Sequence, residues 1–280
     1  MLLKDFKPSI EVSEFVRLYR LVHFVFDKNM VIPFKPYPPS PEHCLSFYPM
    51  DTETIEHADT GKKIANIPVA FIGQPLSVTN RFVGHHFMVL QIIFQPGALY
   101  RLTGIPSNEL TNVYINAEDI FSKEVRFINE QLHNSTSYNG MIIIAENFVK
   151  NLMKRIIKER HQVDEVCKIL LASQANISLD WLAKESFLSS KQLERKFKER
   201  TGVNPKLYQR IIRFEKAYLL KNNNPNWDWL RIAVECNYHD YQHLVKDYKD
   251  FTGFSPTSFH AVEKDAPENI LGLDTTYYHS

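Results

Sequence analysis

One pattern near the end of the chain occurs twice. Each copy reads apolar residue, three residues, aromatic-Lys, three residues, Gly, two residues, Pro, and the copies are 51 residues apart. The apolar pair at i and i+4 predicts one buried face of a helix. The Gly predicts the end of that helix, and the Pro prevents its continuation. The chain is therefore expected to build the same helical unit twice. The matching residues are Leu193, Phe197, Lys198, Gly202 and Pro205 in the first copy and Leu244, Tyr248, Lys249, Gly253 and Pro256 in the second.

A short apolar stripe and a turn precede each of these helices. The stripes contain Leu182 in the first copy and Ile232 in the second, and Ser189 and Asp240 stand where each following helix begins. Ser and Asp are favoured N-cap residues. A helix, a tight turn and a capped second helix make a helix-turn-helix, whose second helix can enter the major groove of DNA. Residues 206–221 between the copies have the spacing of a long connecting helix.

These residues resemble the signatures of the AraC/XylS family of transcription regulators. The resemblance covers about residues 177–259, and it is specific because two related units occur at the family's separation. It implies an all-α carboxyl-terminal domain of two helix-turn-helix units joined by a long helix, and it implies promoter DNA as the partner. Besides the repeated residues, it rests on Arg213, Ala217, Leu219, Leu220, Ile232, Ala233, Tyr238, Asp240, Lys246 and Phe259.

The two turns depart from the family pattern, in which glycine is frequent. Phe187 and Asn237 occupy these positions. Asn tolerates a left-handed backbone conformation, whereas Phe tolerates it much less. We therefore expect the first turn to differ in shape from the second, which is also one residue longer.

Charge is divided unevenly between the two units. The whole chain has a formal charge of +1, but residues 187–216 contain nine Lys or Arg and three Glu, a net +6. Residues 227–260 contain three Lys or Arg and five acidic residues, a net −2. Contacts to phosphates supply much of the affinity for DNA. We therefore expect the first unit to grip DNA and the second to contribute less, or to read bases with polar groups.

Helical geometry selects the residues expected to face DNA. On each second helix they lie opposite or beside the apolar pair that faces inward. Arg can contact guanine with two hydrogen bonds, Gln pairs with adenine, and an apolar side chain touches the thymine methyl group. The candidates are Ser190, Lys191, Glu194, Arg195 and Lys198 on the first helix and Tyr241, Gln242, Val245 and Lys246 on the second.

The first 150 residues have a different sequence pattern from the repeated units. Short apolar and β-branched runs separated by turns predict strands, and residues 87–94 are almost wholly apolar, which predicts a strand buried on both faces. Residues 115–133 and 141–159 have helical spacing. An apolar stripe in the second stretch is expected to pack on its own domain or to form a dimer seam. This stripe consists of Ile143, Ile144, Phe148, Leu152, Ile156 and Ile157.

Residues 94–112 resemble part of the cupin-like amino-terminal domain found in one branch of the AraC family. The matching residues are Phe94, Pro96, Gly97, Ala98, Leu102, Gly104, Ile105, Pro106, Glu109, Leu110, Thr111 and Asn112. The resemblance covers about residues 6–133 and implies a domain that senses a ligand or pairs subunits, with unknown effector-binding residues. The expected fold is therefore α+β with two domains. Residues 1–160 (the front region) form a cupin-like β-barrel or sandwich with linker helices, residues 161–262 (the reader region) form the double helix-turn-helix domain, and residues 263–280 form a tail.

The sequence contains little that indicates catalysis, so we expect no enzyme, no metal and no cofactor. Adjacent His85 and His86 would point to opposite faces of a strand, unlike the His-x-His pair of a metal cupin. Cys44, Cys167 and Cys236 form no Cys-x-x-Cys pair, so disulfides and structural zinc are not expected. Neither a phosphate-binding glycine loop nor a nucleophile elbow is present.

These observations favour a sequence-specific DNA-binding transcription regulator controlled by a small-molecule effector at the front region. One alternative is a ligand- or partner-binding protein whose helix-turn-helix units have lost DNA binding. Another is a front-region enzyme fused to a DNA reader. A second copy of the chain and RNA polymerase are further candidate partners. The chain lacks a signal peptide and a long apolar run, so we expect a cytoplasmic protein without a membrane partner.

Overall fold

The front region contains two antiparallel sheets. The computed structural model describes residues 1–173 and 177–273. The larger sheet has six strands in the order β1(Leu2–Phe6), β2(Val16–Val25), β9(His86–Phe94), β4(Cys44–Phe47), β7(Val69–Ile72) and β10(Tyr114–Asn116). The smaller sheet has the order β3(Lys35–Tyr37), β8(Thr79–Phe82), β5(Thr54–His57) and β6(Lys63–Ile64). The sheet-rich front region expected from the sequence is confirmed.

Strand β9 lies at the centre of the larger sheet, between β2 and β4. Eight of its nine residues are buried. Alternate side chains point to opposite faces of a strand. Leu90 and Ile92 therefore enter the core that packs against the front helices, while Val89 and Ile93 enter a second core shared with Ile55 of the smaller sheet. The prediction of a strand buried on both faces is confirmed.

Helix α1(Ala98–Thr103) and a 3₁₀ turn at Ser107–Leu110 lie between β9 and β10, and helices α2(Glu118–Phe121), α3(Glu124–His133) and α4(Tyr138–Met153) follow β10. Helix α4 begins at Ser137, whose side chain caps the helix by accepting a hydrogen bond from the Gly140 backbone N–H. The helix ends at Met153, before the residue 159 that the spacing suggested. Its buried face is formed by Met141, Ala145, Phe148 and Val149, whereas Ile143, Ile156 and Ile157 of the predicted stripe are exposed.

The described residues of the reader region and of the start of the tail form helices and the turns between them. The helices are α5(Gln162–Ala172), α6(Leu179–Glu185), α7(Ser190–Thr201), α8(Pro205–Asn223), α9(Trp229–Glu235), α10(Tyr241–Thr252), α11(Pro256–Glu263) and α12(Pro267–Ile270). Helices α6 and α7 form the first helix-turn-helix unit, and α9 and α10 form the second. The two-domain α+β fold expected from the sequence is thus observed, with sheets in the front region and helices in the reader region.

Each unit has its own apolar core, and α8 contributes to both. Leu193 and Phe197 of α7 are fully buried with Tyr208 of α8 in the first core. Leu244 and Tyr248 of α10 are fully buried with Phe214 of α8 in the second. Because one rigid helix supplies side chains to two cores, it holds the two units in a defined arrangement.

The front region contacts both units directly. Leu76 packs against both reader cores, and Val78 is itself a buried member of the second core. The Val78 backbone N–H donates to the Phe251 carbonyl oxygen at 3.0 Å. Ser107 and Thr111 donate from their hydroxyl groups to the carbonyl oxygens of Arg200 and Gly202, each at 3.0 Å. A change in the front region therefore has a physical path to the end of α7 and to the space between the units.

None of the helices in residues 1–173 and 177–273 is long and apolar enough to cross a membrane.

Candidate nucleic-acid interface

The outer face of α7 carries the first set of candidate DNA-binding residues. Lys191, Glu194, Arg195 and Lys198 are exposed, and Ser190 is half-buried near the amino end. The helix is oriented by its two buried side chains and by Ser189, which accepts a hydrogen bond from the Gln192 backbone N–H and forms a capping box with it. Within the described chain, Lys191, Arg195 and Lys198 form no ion pair. Their positive charges are therefore available to a polyanion.

Helix α10 presents the second set in the same way. Gln242 and Lys246 are exposed, while Tyr241 and Val245 are half-buried. Tyr241 packs against the second core, so part of its ring is already covered by protein. Asp240 caps the helix by accepting a hydrogen bond from the His243 backbone N–H. The same backbone N–H and the His243 ring hold the pKa of Asp240 below its ordinary value, so the cap is anionic at neutral pH.

The two sets occupy equivalent positions, 51 residues apart. Arg195 of the first unit corresponds to Lys246 of the second, and Lys191 corresponds to Gln242. Sequence reasoning omitted His243, Lys206 and Lys249, which the structure also exposes or brings to the interface. The 51-residue correspondence was the available signal for Lys249, because it matches Lys198.

A cleft of about 670 Å³ lies between the two second helices. Glu194 of α7 lines one side, and His243 and Lys246 of α10 line the other. Lys206 and Arg210 of α8 line it between them. The two candidate reading helices thus border one cleft; of the nine candidate residues, Glu194 and Lys246 line it, and the other seven lie outside its lining.

The turns before α7 and α10 have the same backbone shape, so the expected difference between them is wrong. Phe187 and Asn237 both have φ of 55°. In each turn the next residue donates its backbone N–H to an alanine carbonyl oxygen: Leu188 to Ala183 at 3.0 Å and Tyr238 to Ala233 at 2.9 Å. These hydrogen bonds close the end of the preceding helix and impose the left-handed conformation, whatever the side chain. The extra residue of the second turn lies after this point, before the cap.

The net charge of +6 in residues 187–216 overstates the positive surface of the first unit. Arg200 is buried and lies 2.6 Å from an oxygen of Asp164 in helix α5. Arg210 and Arg213 of α8 lie 2.7 and 3.1 Å from the carboxylate of Asp247. These three cations hold the fold together, and the exposed positive charge belongs to Lys191, Arg195, Lys198 and Lys206.

The net charge of −2 in residues 227–260 comes mostly from residues that also serve structural contacts. Asp247 is buried between the two α8 arginines, and Asp250 pairs with Arg210. Asp228 and Asp240 cap the two helices of the unit. Asp228, Glu235, Asp240 and Asp250 are nevertheless exposed, as are the cations Lys246 and Lys249 of α10.

Comparison with known families identifies the class of this domain. Residues 182–261 match the family of helix-turn-helix domains. The carboxyl-terminal part of the chain is thus a helix-turn-helix domain, as the sequence resemblance implied. No curated protein matches the chain as a whole.

Several solved structures share a distant likeness with the chain. ToxT from Vibrio cholerae O395 is 11% identical with a TM-score of 0.45, covering 89% of this chain and 98% of ToxT. Unsaturated fatty acid bound ToxT from Vibrio cholerae strain SCE256 is 10% identical with a TM-score of 0.46, covering 86% and 94%. The AraC-like transcriptional activator CuxR is 15% identical with a TM-score of 0.30, covering 77% and 80%. Likenesses at these scores are too distant to transfer a ligand or a site.

Proposed function

We propose that the chain is a sequence-specific DNA-binding transcription regulator whose front region senses a small-molecule effector. The observation that carries the proposal is the pair of capped second helices bordering one cleft, each with polar and basic side chains on its outer face. This arrangement suits a duplex that presents two successive major-groove surfaces to one side of a protein. The proposal assigns the chain no catalytic role.

The two helices take different parts in this function. On α7, Arg195 reads guanine and Glu194 accepts a hydrogen bond from the amino group of cytosine, while Lys191 and Lys198 bind phosphates. On α10, Gln242 pairs with adenine, and Val245 lies against a thymine methyl group. Lys246 adds a phosphate or guanine contact. Because both units lie on one chain, one molecule is able to read an asymmetric site.

The front region regulates the reader region through the contacts between them. The 3₁₀ turn holds the carboxyl end of α7, and Leu76 and Val78 pack between the cores of the two units. An effector that moves these elements changes the relative placement of α7 and α10. Such a change alters affinity for a site that needs both helices at a fixed separation.

The test measures binding of the full chain to its own upstream DNA. Fluorescence anisotropy at two salt concentrations, with random duplex as competitor, separates specific from non-specific binding. The double variant Arg195→Ala/Gln242→Ala is compared with the control Lys62→Ala/Lys7→Ala, which removes two exposed cations far from the reader region in sequence. We expect wild type and control to prefer the upstream DNA and the double variant to lose that preference.

Two results would contradict the proposal. One is equal affinity of the wild type for upstream and random DNA across a panel of candidate effectors. The other is an equal loss of binding in the double variant and in the control. That result would mean that the protein binds DNA only through non-specific electrostatic attraction.

A further inference from the structure

The front region contains a small cavity that combines apolar walls with a cationic end. Its volume is about 70 Å³. Val22, Phe24, Phe87 and Val89 line the apolar part. Arg20, Lys35 and Arg81 line the other part. An apolar wall with a few charged groups at one end is the usual lining of a small-molecule site, but the space left beside the tail is smaller than the roughly 300–1,000 Å³ of such sites.

The chain's own tail fills the mouth of this cavity. Pro267 and Glu268 of α12 line it together with the front-region residues. The Glu268 carboxylate forms an ion pair with Lys35, 233 residues away along the chain, and only 3% of Glu268 is exposed. Leu271 and Leu273 then pack against the apolar core that also holds Phe24.

One oxygen of the Glu268 carboxylate, Oε1, forms the ion pair with Lys35. The other oxygen, Oε2, is buried without a hydrogen-bond partner among the described residues. The Nε of Arg81, in the same cavity, is also buried without a partner there. Buried polar groups are normally hydrogen-bonded, so an unpaired donor and an unpaired acceptor in one cavity indicate that its polar groups are incompletely matched by the tail.

The other cations of the cavity have carboxylate partners within the front region. Arg20 pairs with Asp5, at 3.1 Å from Nε, and Arg81 pairs with Glu53 at 3.2 Å. Lys35 pairs with a carboxylate from the tail. Burial lowers the pKa of Lys35 to about 8, although Glu263 of α11 opposes this shift. A buried ammonium without a close anion is costly, so the ion pair with Glu268 stabilises the charged form of Lys35.

We propose that the tail segment 266–273 is a built-in occupant of a ligand site, in which Glu268 stands in for the carboxylate of an effector. The ligand is a small molecule with one carboxylate and a compact apolar body. Its carboxylate replaces that of Glu268 at Lys35, and its apolar part enters between Phe24, Phe87 and Val89. The inference deepens the proposed function, because it rests on the front region being the sensing part of the regulator.

Displacement of the tail has a direct route to the second helix-turn-helix unit. The segment follows α11 after only two residues, and Phe259 of α11 is fully buried in the core of that unit. The Nε2 atom of His260 in α11 is hydrogen-bonded to the Tyr248 hydroxyl of α10 at 3.0 Å. A ligand that expels segment 266–273 therefore removes a restraint on α11, which packs directly on the second reading helix.

The first test measures binding of hexanoate to the full chain by calorimetry, with hexanamide as the uncharged probe of the same shape. The variants are Glu268→Gln, which keeps the side-chain shape but removes the competing charge, and Lys35→Met. The matched control is Asp265→Asn, which removes a carboxylate from an exposed neighbour in the tail. We expect Glu268→Gln to bind hexanoate at least tenfold more tightly than wild type and the control. Lys35→Met should lose this binding, and hexanamide should bind none of the proteins appreciably.

A second measurement uses the wild type alone and does not depend on a variant that folds. Hydrogen exchange is followed in a peptide covering residues 266–273, with and without hexanoate. Faster exchange in this peptide with hexanoate, but not with hexanamide, supports displacement. Unchanged exchange at a hexanoate concentration that saturates calorimetric binding overturns it. So does equal affinity of wild type and Glu268→Gln for hexanoate, or absence of hexanoate binding in both.

Failure of this inference is distinguishable from failure of the proposed function. Binding of the same protein preparations to the upstream DNA is measured without any probe. If DNA binding is intact and hexanoate binding is absent, the tail-occupied site is overturned and the proposed function as a DNA-binding regulator is not affected. Specific hexanoate binding without DNA binding would support the tail-occupied site and contradict the proposed function as a DNA-binding regulator.

Discussion

The two helix-turn-helix units have the same backbone but different surroundings. In both units a capping residue precedes the second helix, and a glycine with left-handed backbone conformation ends it. The φ angle is 89° at Gly202 and 77° at Gly253. A Cβ built on Gly202 would lie 2.7 Å from Oγ1 of Thr111 in the front region, whereas a Cβ on Gly253 meets nothing within 4 Å. The first unit therefore contacts the front region at Gly202 itself, whereas the front region meets the second unit at Phe251, two residues before Gly253.

This difference shows how a duplicated element acquires two roles. The repeated residues build the helices, and the residues that differ between the copies decide what each copy touches. At the position of Lys196 in the first unit, which pairs with Glu199 one turn away, the second unit has Asp247, which reaches two arginines of α8. Each prediction below therefore changes both members of an equivalent pair.

The largest difference is expected at Lys196 and Asp247. Asp247 is 3% exposed and is the shared partner of Arg210 and Arg213, so Asp247→Ala removes the anion of Arg213 and leaves Arg210 with Asp250 alone among the described residues. We expect a loss of about 3 kcal/mol in the free energy of unfolding, at the low end for a broken buried pair because both arginines retain contact with water. Lys196→Ala removes an i,i+3 surface pair and should cost less than about 0.5 kcal/mol. Urea unfolding of both variants measures the difference, and equal losses would show that Asp247 has no special role.

The next difference is expected at the two glycines. Gly202→Ala and Gly253→Ala both place a Cβ in a left-handed conformation, which costs roughly 1–2 kcal/mol. Gly202→Ala must also move Thr111, whose hydroxyl donates to the Gly202 carbonyl oxygen. We expect Gly202→Ala to be the more destabilising by about 1 kcal/mol, the typical worth of one hydrogen bond. Thermal unfolding compares the variants, and a larger loss in Gly253→Ala would mean that the front region does not press on this point.

Arg195 and Lys246 test how the units divide the reading of DNA. Arg195→Ala should weaken binding by about 1–3 kcal/mol and relax the preference for one base, because Arg contacts guanine with two hydrogen bonds. Lys246→Ala should weaken binding across all sequences and lower the salt slope by about 1 if it contacts phosphate. Affinities for an upstream site with single-base changes, measured at several salt concentrations, separate the two behaviours. A uniform loss for Arg195→Ala would reassign it to phosphate.

Sequence reasoning reached the helices, the caps and the faces of the reader region because these depend on residues close together in the chain. Ser189, Asp240 and the two glycines are local signals, and the structure has each where the pattern indicated. Pairing across long distances carries no such signal. Asp247 meets Arg210 across 37 residues, and Glu268 meets Lys35 across 233. A count of charges by segment therefore treats ions such as Asp247 and Arg210, which pair within the fold, as surface charges. The contact between the tail and the front region has no local signal in the sequence.

The smallest effect is expected at the turn residues, where the comparison is sharpest. Phe187 is 84% exposed and has the same φ of 55° as Asn237. A bulky residue in this conformation costs roughly 1–2 kcal/mol, and glycine loses roughly 0.5–1 kcal/mol of that advantage through its freedom in the unfolded chain. Phe187→Gly should therefore stabilise the protein by about 0.5–1 kcal/mol, whereas Asn237→Gly should be close to neutral, because Asn already tolerates the left-handed region. Denaturant midpoints of the two variants decide this. Destabilisation by Phe187→Gly would contradict this expectation, because it would mean that the largely exposed ring makes a contact within the protein worth more than the backbone strain.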